Sequence, residues 1–150
     1  MQIIRARPED AAALTEIAFA AKRHWGYPER WIQVWSDILT VTPELVTRNP
    51  TFSATEDGCA VGFYSLTPKP RPDLNHLWVL PSAMGRGIGR ALFEHAVEQA
   101  KELGFATFEI EADPNAEAFY LHMGAKRTGT NVTEIDGQRR DLPLLMYQME

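Results

Sequence analysis

The chain has 150 residues, enough for one domain with a proper core, and its apolar fraction of 45% is that of a soluble globular protein. Fifteen basic and twenty acidic side chains leave a net charge of -5 without any block of five basic residues, which argues against a nucleic-acid partner. The N-terminus has no apolar signal segment, no apolar run approaches the ~20 residues of a membrane span, and the single cysteine, Cys59, has no partner for an internal disulfide. The expectation is a soluble cytoplasmic domain over residues 1–150 with no membrane partner.

In chain order, Gln2 to Arg5 read as a short edge strand. Pro8 fits the first position of a helix, with Glu9 and Asp10 in the first turn where the dipole favours carboxylates. Leu14, Ile17, Ala18 and Ala21 recur at helical spacing up to about Arg23. After His24, Trp25, Gly26 and Tyr27, Pro28 opens a second predicted helix with Trp31, Val34, Trp35 and Ile38 on one stripe. Thr42-Pro43-Glu44 reads as the cap and first turn of a short third helix.

The pattern then changes. Thr51 to Glu56, the turn Asp57-Gly58 and Cys59 to Leu66 form a predicted hairpin, with Cys59 read as a small buried hydrophobe. A proline-rich loop, Thr67 to Asp73, leads to a strong strand, Leu74 to Leu80. A helix follows from about Arg86 to Leu103, burying Leu92, Phe93, Ala96, Val97, Ala100 and Leu103, with Gly104 as its C-cap. Phe105 to Ala112 is another strand. Asp113 and Pro114 start a short helix that stops at Gly124, and a last hairpin from about Lys126 to Met149 turns at Asp136-Gly137. The strong strand–helix–strand unit implies one parallel pair, the fourth and fifth strands, inside a largely antiparallel sheet. The fold class is α/β with a mixed sheet.

Between the fourth strand and the long helix lie three glycines and two arginines in six residues: Gly85, Arg86, Gly87, Ile88, Gly89 and Arg90. A strand feeding a glycine-rich turn into a helix N-terminus is suited to an anion. Unpaired N–H groups point outward and missing Cβ atoms let phosphate oxygens approach the backbone. The alternative is a loop that needs glycine only for its turn geometry. A Walker A loop would end in Gly-Lys-Ser/Thr, and here the chain reads Gly89-Arg90-Ala91. A dinucleotide fingerprint would need its third glycine at Arg90, and its strand–helix–strand unit would open the chain instead of arriving after residue 72.

Leu77 to Val97, LWVLPSAMGRGIGRALFEHAV, resembles the acetyl-CoA motif of the GCN5-related N-acetyltransferases (GNAT), written Q/R-x-x-G-x-G/A. The element order along nearly the whole chain and the later Asn115 to Ala125, NAEAFYLHMGA, are similar to that family as well. The resemblance implies a single-domain acyl-CoA N-acyltransferase fold with helices on both faces of the sheet, acetyl-CoA as cosubstrate and no metal. It also implies that backbone amides from Gly85 to Arg90 hold the pyrophosphate. Leu77, Trp78 and Val79 would pair with the pantetheine arm as an added strand, Val79 offering its N–H near the thioester carbonyl. The motif's first position falls on Met84, where a polar or cationic contact is missing and Arg86 compensates.

The chemistry needs an acid for the leaving thiolate and a base for the amine. Tyr120 matches the family's tyrosine in Y-x-x-x-G and takes the acid's role by resemblance; packing with a satisfied hydroxyl is its other reading. Asn115 matches the family's CoA-contacting asparagine loosely, and strict spacing puts Asp113 in that place, where it is also a natural helix cap. For the base the candidates are Glu111, alternating with Glu109 on one face of its strand, and His76 with a pKa near neutrality. Water chains are the alternative.

Relatives build the acceptor pocket from the first helices and the last hairpin. His24, Trp25 and Tyr27 are therefore the expected substrate contacts, while Trp31 and Trp35 read as core. Arg139 and Arg140 are placed to meet an acceptor carboxylate, or are simply solvated. The reading that results is an acetyl-CoA-dependent N-acetyltransferase of a small-molecule amine, with a homodimer left open. A non-catalytic acyl-CoA-binding module and a protein N-terminal or lysine acetyltransferase are the rivals.

Overall fold

The computed structural model describes residues 1–150 and places seven strands in one sheet, ordered β1-β2-β3-β4-β5-β7-β6. The strands are β1 (Gln2–Arg5), β2 (Thr51–Glu56), β3 (Cys59–Thr67), β4 (Asp73–Val79), β5 (Thr107–Glu111), β6 (Lys126–Ile135) and β7 (Gln138–Gln148). The helices are α1 (Ala11–Arg23), α2 (Glu29–Val34), α3 (Ser36–Leu39), α4 (Pro43–Arg48), α5 (Ile88–Glu102) and α6 (Glu117–His122). The neighbouring strands pair antiparallel except β4 with β5, the parallel pair that the long helix α5 connects.

Each face of the sheet has its own core. On one face, Leu92, Phe93, Ala96 and Ala100 of α5 pack against Tyr64, Leu66, Leu74, Phe108, Ile110 and Leu145 from four strands. On the other, Leu14, Ile17 and Ala18 of α1 join Ile32, Leu39, Val41, Val46 and Phe63. Period-two alternation of the strands divides the residues between the two faces.

Four local expectations change. The second predicted helix is two short ones, interrupted at Trp35, whose φ of -86° and ψ of 3° end the helical run. The stripe breaks with it: Ile32 and Leu39 are buried, whereas Val34 and Ile38 are 68% and 69% exposed. Leu103 lies beyond the end of α5 and is exposed, and Cys59 opens β3 beside the hairpin turn and is exposed too. The long helix begins at Ile88 and not at Arg86, because Gly87 adopts a left-handed φ of 80° that a helix cannot continue.

Two irregularities at the centre of the sheet shape what lies around it. Leu66 opposes Leu74 and Ser65 opposes His76, so Asn75 is an extra residue bulging from β4. Further, β4 and β5 share a single bridging pair, Asp73 with Glu109, and pair nowhere else. A gap therefore runs between them toward their C-terminal ends.

Candidate active site

The glycine loop ends at the top of this gap. Gly85 and Gly87 both have left-handed backbones, φ 77° and 80°, and a Cβ built at either would meet nothing within 4 Å. Their space is open toward the outside. The N–H groups of Gly85, Arg86 and Gly87 have no backbone acceptor in the protein. Those of Ile88, Gly89 and Arg90 belong to the first turn of α5, where no preceding helical carbonyl exists to take them. Met84 donates its own N–H to Pro81, so the free run starts after it. The two arginines are differently engaged. Arg86 holds Glu56 with two hydrogen bonds of 2.8 and 3.2 Å, and Arg90 pairs with Glu94 at 2.7 Å. The main chain, more than these exposed ion pairs, makes the site attractive to an anion.

The β4 edge supplies further free main chain. Leu80 donates its N–H to Val61 on β3 at 2.8 Å, so the N–H of Val79, one residue back, points the other way into the gap. By the same alternation Leu77 offers its main-chain groups to the gap, whereas Trp78 spends its own on the ladder with Phe63.

Tyr120 of α6 is buried in the core on the α5 face. Its ring packs on Phe93 and Phe119, and burial first, then Asp73 and Asp113, raise its phenol above the ordinary value. The hydroxyl is thus held protonated, as a donor must be.

Below the gap on the α1 side lies a cleft of about 830 Å³ between α2–α3 and the β6–β7 hairpin. The hairpin tip is fastened over it by Asp136, which accepts from Arg30 and Trp31 of α2. Asp73, Asn75, His76, Trp78 and Glu111 reach it from the sheet, and Asp113 from just beyond β5. His76 departs from the expected near-neutral group: it is 6% exposed, and burial lowers its pKa to about 4. Its Nδ1 accepts the indole N–H of Trp78 at 2.9 Å, which leaves Nε2 carrying the proton. A neutral imidazole arranged this way is a donor and a poor base. Glu111 is exposed and accepts from Asn131 at 3.1 Å.

The carboxyl whose affinity for a proton is raised is Asp73, at the end of the predicted proline-rich loop and here the first residue of β4. Asp73 is pushed up to about 6 by burial first and then by Glu109 and Glu111, with Arg71 opposing weakly. Nothing local to Asp73 announces this, because both glutamates reach it only across the parallel pair.

At the other end of the cleft is a buried charge cluster. Asp113 accepts from Lys22 at 2.6 Å, Arg140 at 3.1 Å, and Tyr27 at 3.0 Å. It also caps its helix through the N–H of Asn115 at 2.8 Å. Burial alone would raise the Asp113 carboxyl, but Lys22 and these hydrogen bonds bring it below its usual value. Lys22 and Arg140 lie over the ring of Trp35, 4.3 and 4.8 Å from its centroid.

This cluster redistributes the expected acceptor residues. Tyr27 is an organiser, its hydroxyl taken up by Asp113, Asn115 and Arg140, and Asn115 is turned toward it and not toward the glycine loop. His24 and Trp25 pack edge-to-face on each other past the end of α1, outside the cleft, because Gly26 turns the chain away there. Trp35, read as core, lines the cleft in their place. Arg140, expected as solvated or as a carboxylate reader, has a side chain only 12% exposed.

Comparison with known proteins agrees with this geometry. Residues 11–125 match the model of the acetyltransferase (GNAT) family. The chain is 36% identical over 110 residues to the peptidyl-lysine N-acetyltransferase YjaB of Salmonella typhimurium, a match covering 73% of this chain and 67% of that protein. Among solved structures, a GCN5-related N-acetyltransferase from Rhodopseudomonas palustris superposes with a TM-score of 0.83 at 25% identity, covering 99% of this chain and 95% of that one. The PaiA N-acetyltransferase of Thermoplasma acidophilum, solved with coenzyme A, gives 0.76 at 20% identity, covering 98% of each.

Proposed function

Because this chain belongs to the GNAT acetyltransferase family, we propose that it moves an acetyl group from acetyl-CoA to a primary amine of a small molecule that enters the cleft as a cation. The observation that carries this reading is the β4–β5 gap, which joins a cradle of free amides on one side to an acid-lined cleft on the other. Open space at the two left-handed glycines fits a phosphate chain. The coenzyme A held by the Thermoplasma structure of the same fold accords with it.

Acetyl-CoA supplies an activated thioester. The chain does the rest. Amides from Gly85 to Arg90 bind the pyrophosphate, and Leu77 and Val79 receive the extended arm along the free edge of β4, with the Val79 N–H directed at the reacting carbonyl. Glu111, with Glu109 beside it, attracts the ammonium. Asp73 takes its proton through water, since a carboxyl near 6 is ionised at neutral pH yet still basic enough to matter. Tyr120, kept as a phenol, gives its proton to the departing thiolate, which leaves as the free thiol.

Tyr120→Phe tests the enzyme claim directly. Ring packing stays and the acid goes, so thiol release should fall by about 10²–10³ while acetyl-CoA affinity changes little. Full activity on an amine substrate would reduce Tyr120 to packing, and absence of turnover with any amine would favour a non-catalytic acyl-CoA-binding module. A second reading, a protein lysine as acceptor, is favoured by the name of the Salmonella relative. A lysine side chain is also a primary ammonium and would meet the same carboxylates.

A further inference from the structure

The cleft is electrically two-ended. Asp73 and Glu111, with Glu109 adjacent, make one end acidic. About 7 Å further along the extended chain from Glu111, Asp113 stands between two cations. Lys22 and Arg140 pair with Asp113 and with no other carboxylate, so two positive charges share one negative charge. The three side chains are 9%, 12% and 8% exposed, in the order Lys22, Arg140 and Asp113. A net positive charge so far removed from water is costly unless something anionic completes it.

Donors remain for that purpose. Arg140 uses only Nη2, for Tyr27 at 3.0 Å and Asp113 at 3.1 Å. Its Nε and Nη1 bond to nothing in the protein, and neither is sealed from solvent. Both Lys22 and Arg140 line the cleft, and Trp35 fixes them in place from beneath. Val34 and Ile38 expose apolar surface that also lines the cleft.

We infer that the acceptor carries a carboxylate, received by Arg140 and Lys22, on an apolar body that rests against Trp35, Val34 and Ile38: an amino-acid-like zwitterion whose ammonium lies at the Asp73–Glu111 end. A single carboxylate matches the single uncompensated charge, whereas a phosphate dianion would exceed it. This inference rests on the acetyltransferase reading and decides between its two acceptor classes, because a lysine within a protein chain brings an ammonium without the carboxylate.

The test is thiol release from acetyl-CoA with matched acceptors: apolar amino acids, their carboxamides, the corresponding decarboxylated amines, and an end-blocked tripeptide with a central lysine. The free amino acids should exceed their carboxamides and amines by at least about tenfold in kcat/KM, as expected for one charge-assisted contact. Arg140→Gln should collapse that ratio toward one. Equal or better turnover of the carboxamides, or a preference for the tripeptide, would overturn the inference and leave the acetyltransferase reading standing. Silence across every amine would sink the acetyltransferase reading and this inference with it. Should Arg140→Gln fold poorly, the ratio measured on the unaltered chain still decides.

Discussion

The two faces of the sheet bury different chemistry. Under α5 the core is apolar, and its internal polar contact is the Tyr64 hydroxyl on His95 at 2.7 Å. Under α1 the same strands bury Thr51, Ser53, Ser65 and His76, and α1 itself buries Lys22. Every buried polar or charged residue outside the aromatics is on this second face. The orphan carbonyl oxygen of Asn75, on the bulge beside His76, belongs to the cleft there too. Apolar packing is enough to fasten a helix to a sheet, so polar groups concentrated in one core mark the place where the protein does something besides fold. Tyr120 is the exception that connects them, packed in the apolar core with its phenol answering to Asp73 and Asp113.

Changes on either face should therefore separate stability from activity. The largest effect is expected from Phe108→Ala in the α5 core, where the ring is fully buried against Phe93 and Tyr147. It should cost about 3–5 kcal/mol in denaturant unfolding, enough to threaten folding outright. A loss below about 1 kcal/mol would mean that this face is not the structural one.

Asp73→Asn should do the reverse. Folding raises this carboxyl from its ordinary value to about 6, so the native state favours the protonated form. The stability that this contributes is present at low pH and is lost as pH rises through about 6. The variant escapes that loss. Its melting temperature should nearly match the unaltered chain near pH 4 and exceed it by about 3–6 °C at pH 8. Turnover should drop about ten- to a hundredfold, and the acidic limb of the pH–rate profile, centred near 6, should disappear. An unchanged limb would remove Asp73 from proton transfer.

Gly87→Val sharpens the comparison at the glycine loop. A Cβ there meets no protein atom within 4 Å, so the expected effects are the strain of a branched residue at φ 80°, about 1–3 kcal/mol, and crowding of whatever approaches the amides. Coenzyme A affinity by calorimetry should weaken about tenfold or more, and an unchanged value with the fold intact would end the phosphate reading. The smallest effect belongs to Cys59→Ala, which lies on neither core. Turnover should stay within about twofold, and an acetylated Cys59 during the reaction would replace direct transfer by a ping-pong route.

What the sequence made legible follows the same division. The glycine loop was readable because its signal is local: strand, left-handed glycines and helix start lie within a dozen residues. The α5 face was readable because Leu92, Phe93, Ala96, Val97 and Ala100 keep strict helical spacing. The cleft was not, because its partners are far apart in the chain. Lys22 meets Asp113 across 91 positions and Arg140 meets it across 27, and no pattern in the sequence records either meeting. Trp25 reads as a substrate contact and Trp35 as core, yet the turn at Gly26 and the break between α2 and α3 put Trp35 and not Trp25 at the cleft.

The single bridge between β4 and β5 has a consequence for how the molecule opens. Strands at the middle of a sheet ordinarily exchange their amide protons last. Here the free edge of β4 runs down the middle, and only Asp73 and Glu109 stitch β1–β4 to β5–β7. In backbone hydrogen bonds the seven strands amount to two ladders, and the α5 core, packed on strands of both, is what holds them together. Their seam depends on side-chain packing more than on the ladder, so the thinnest line of backbone hydrogen bonds in the sheet is also its most central one.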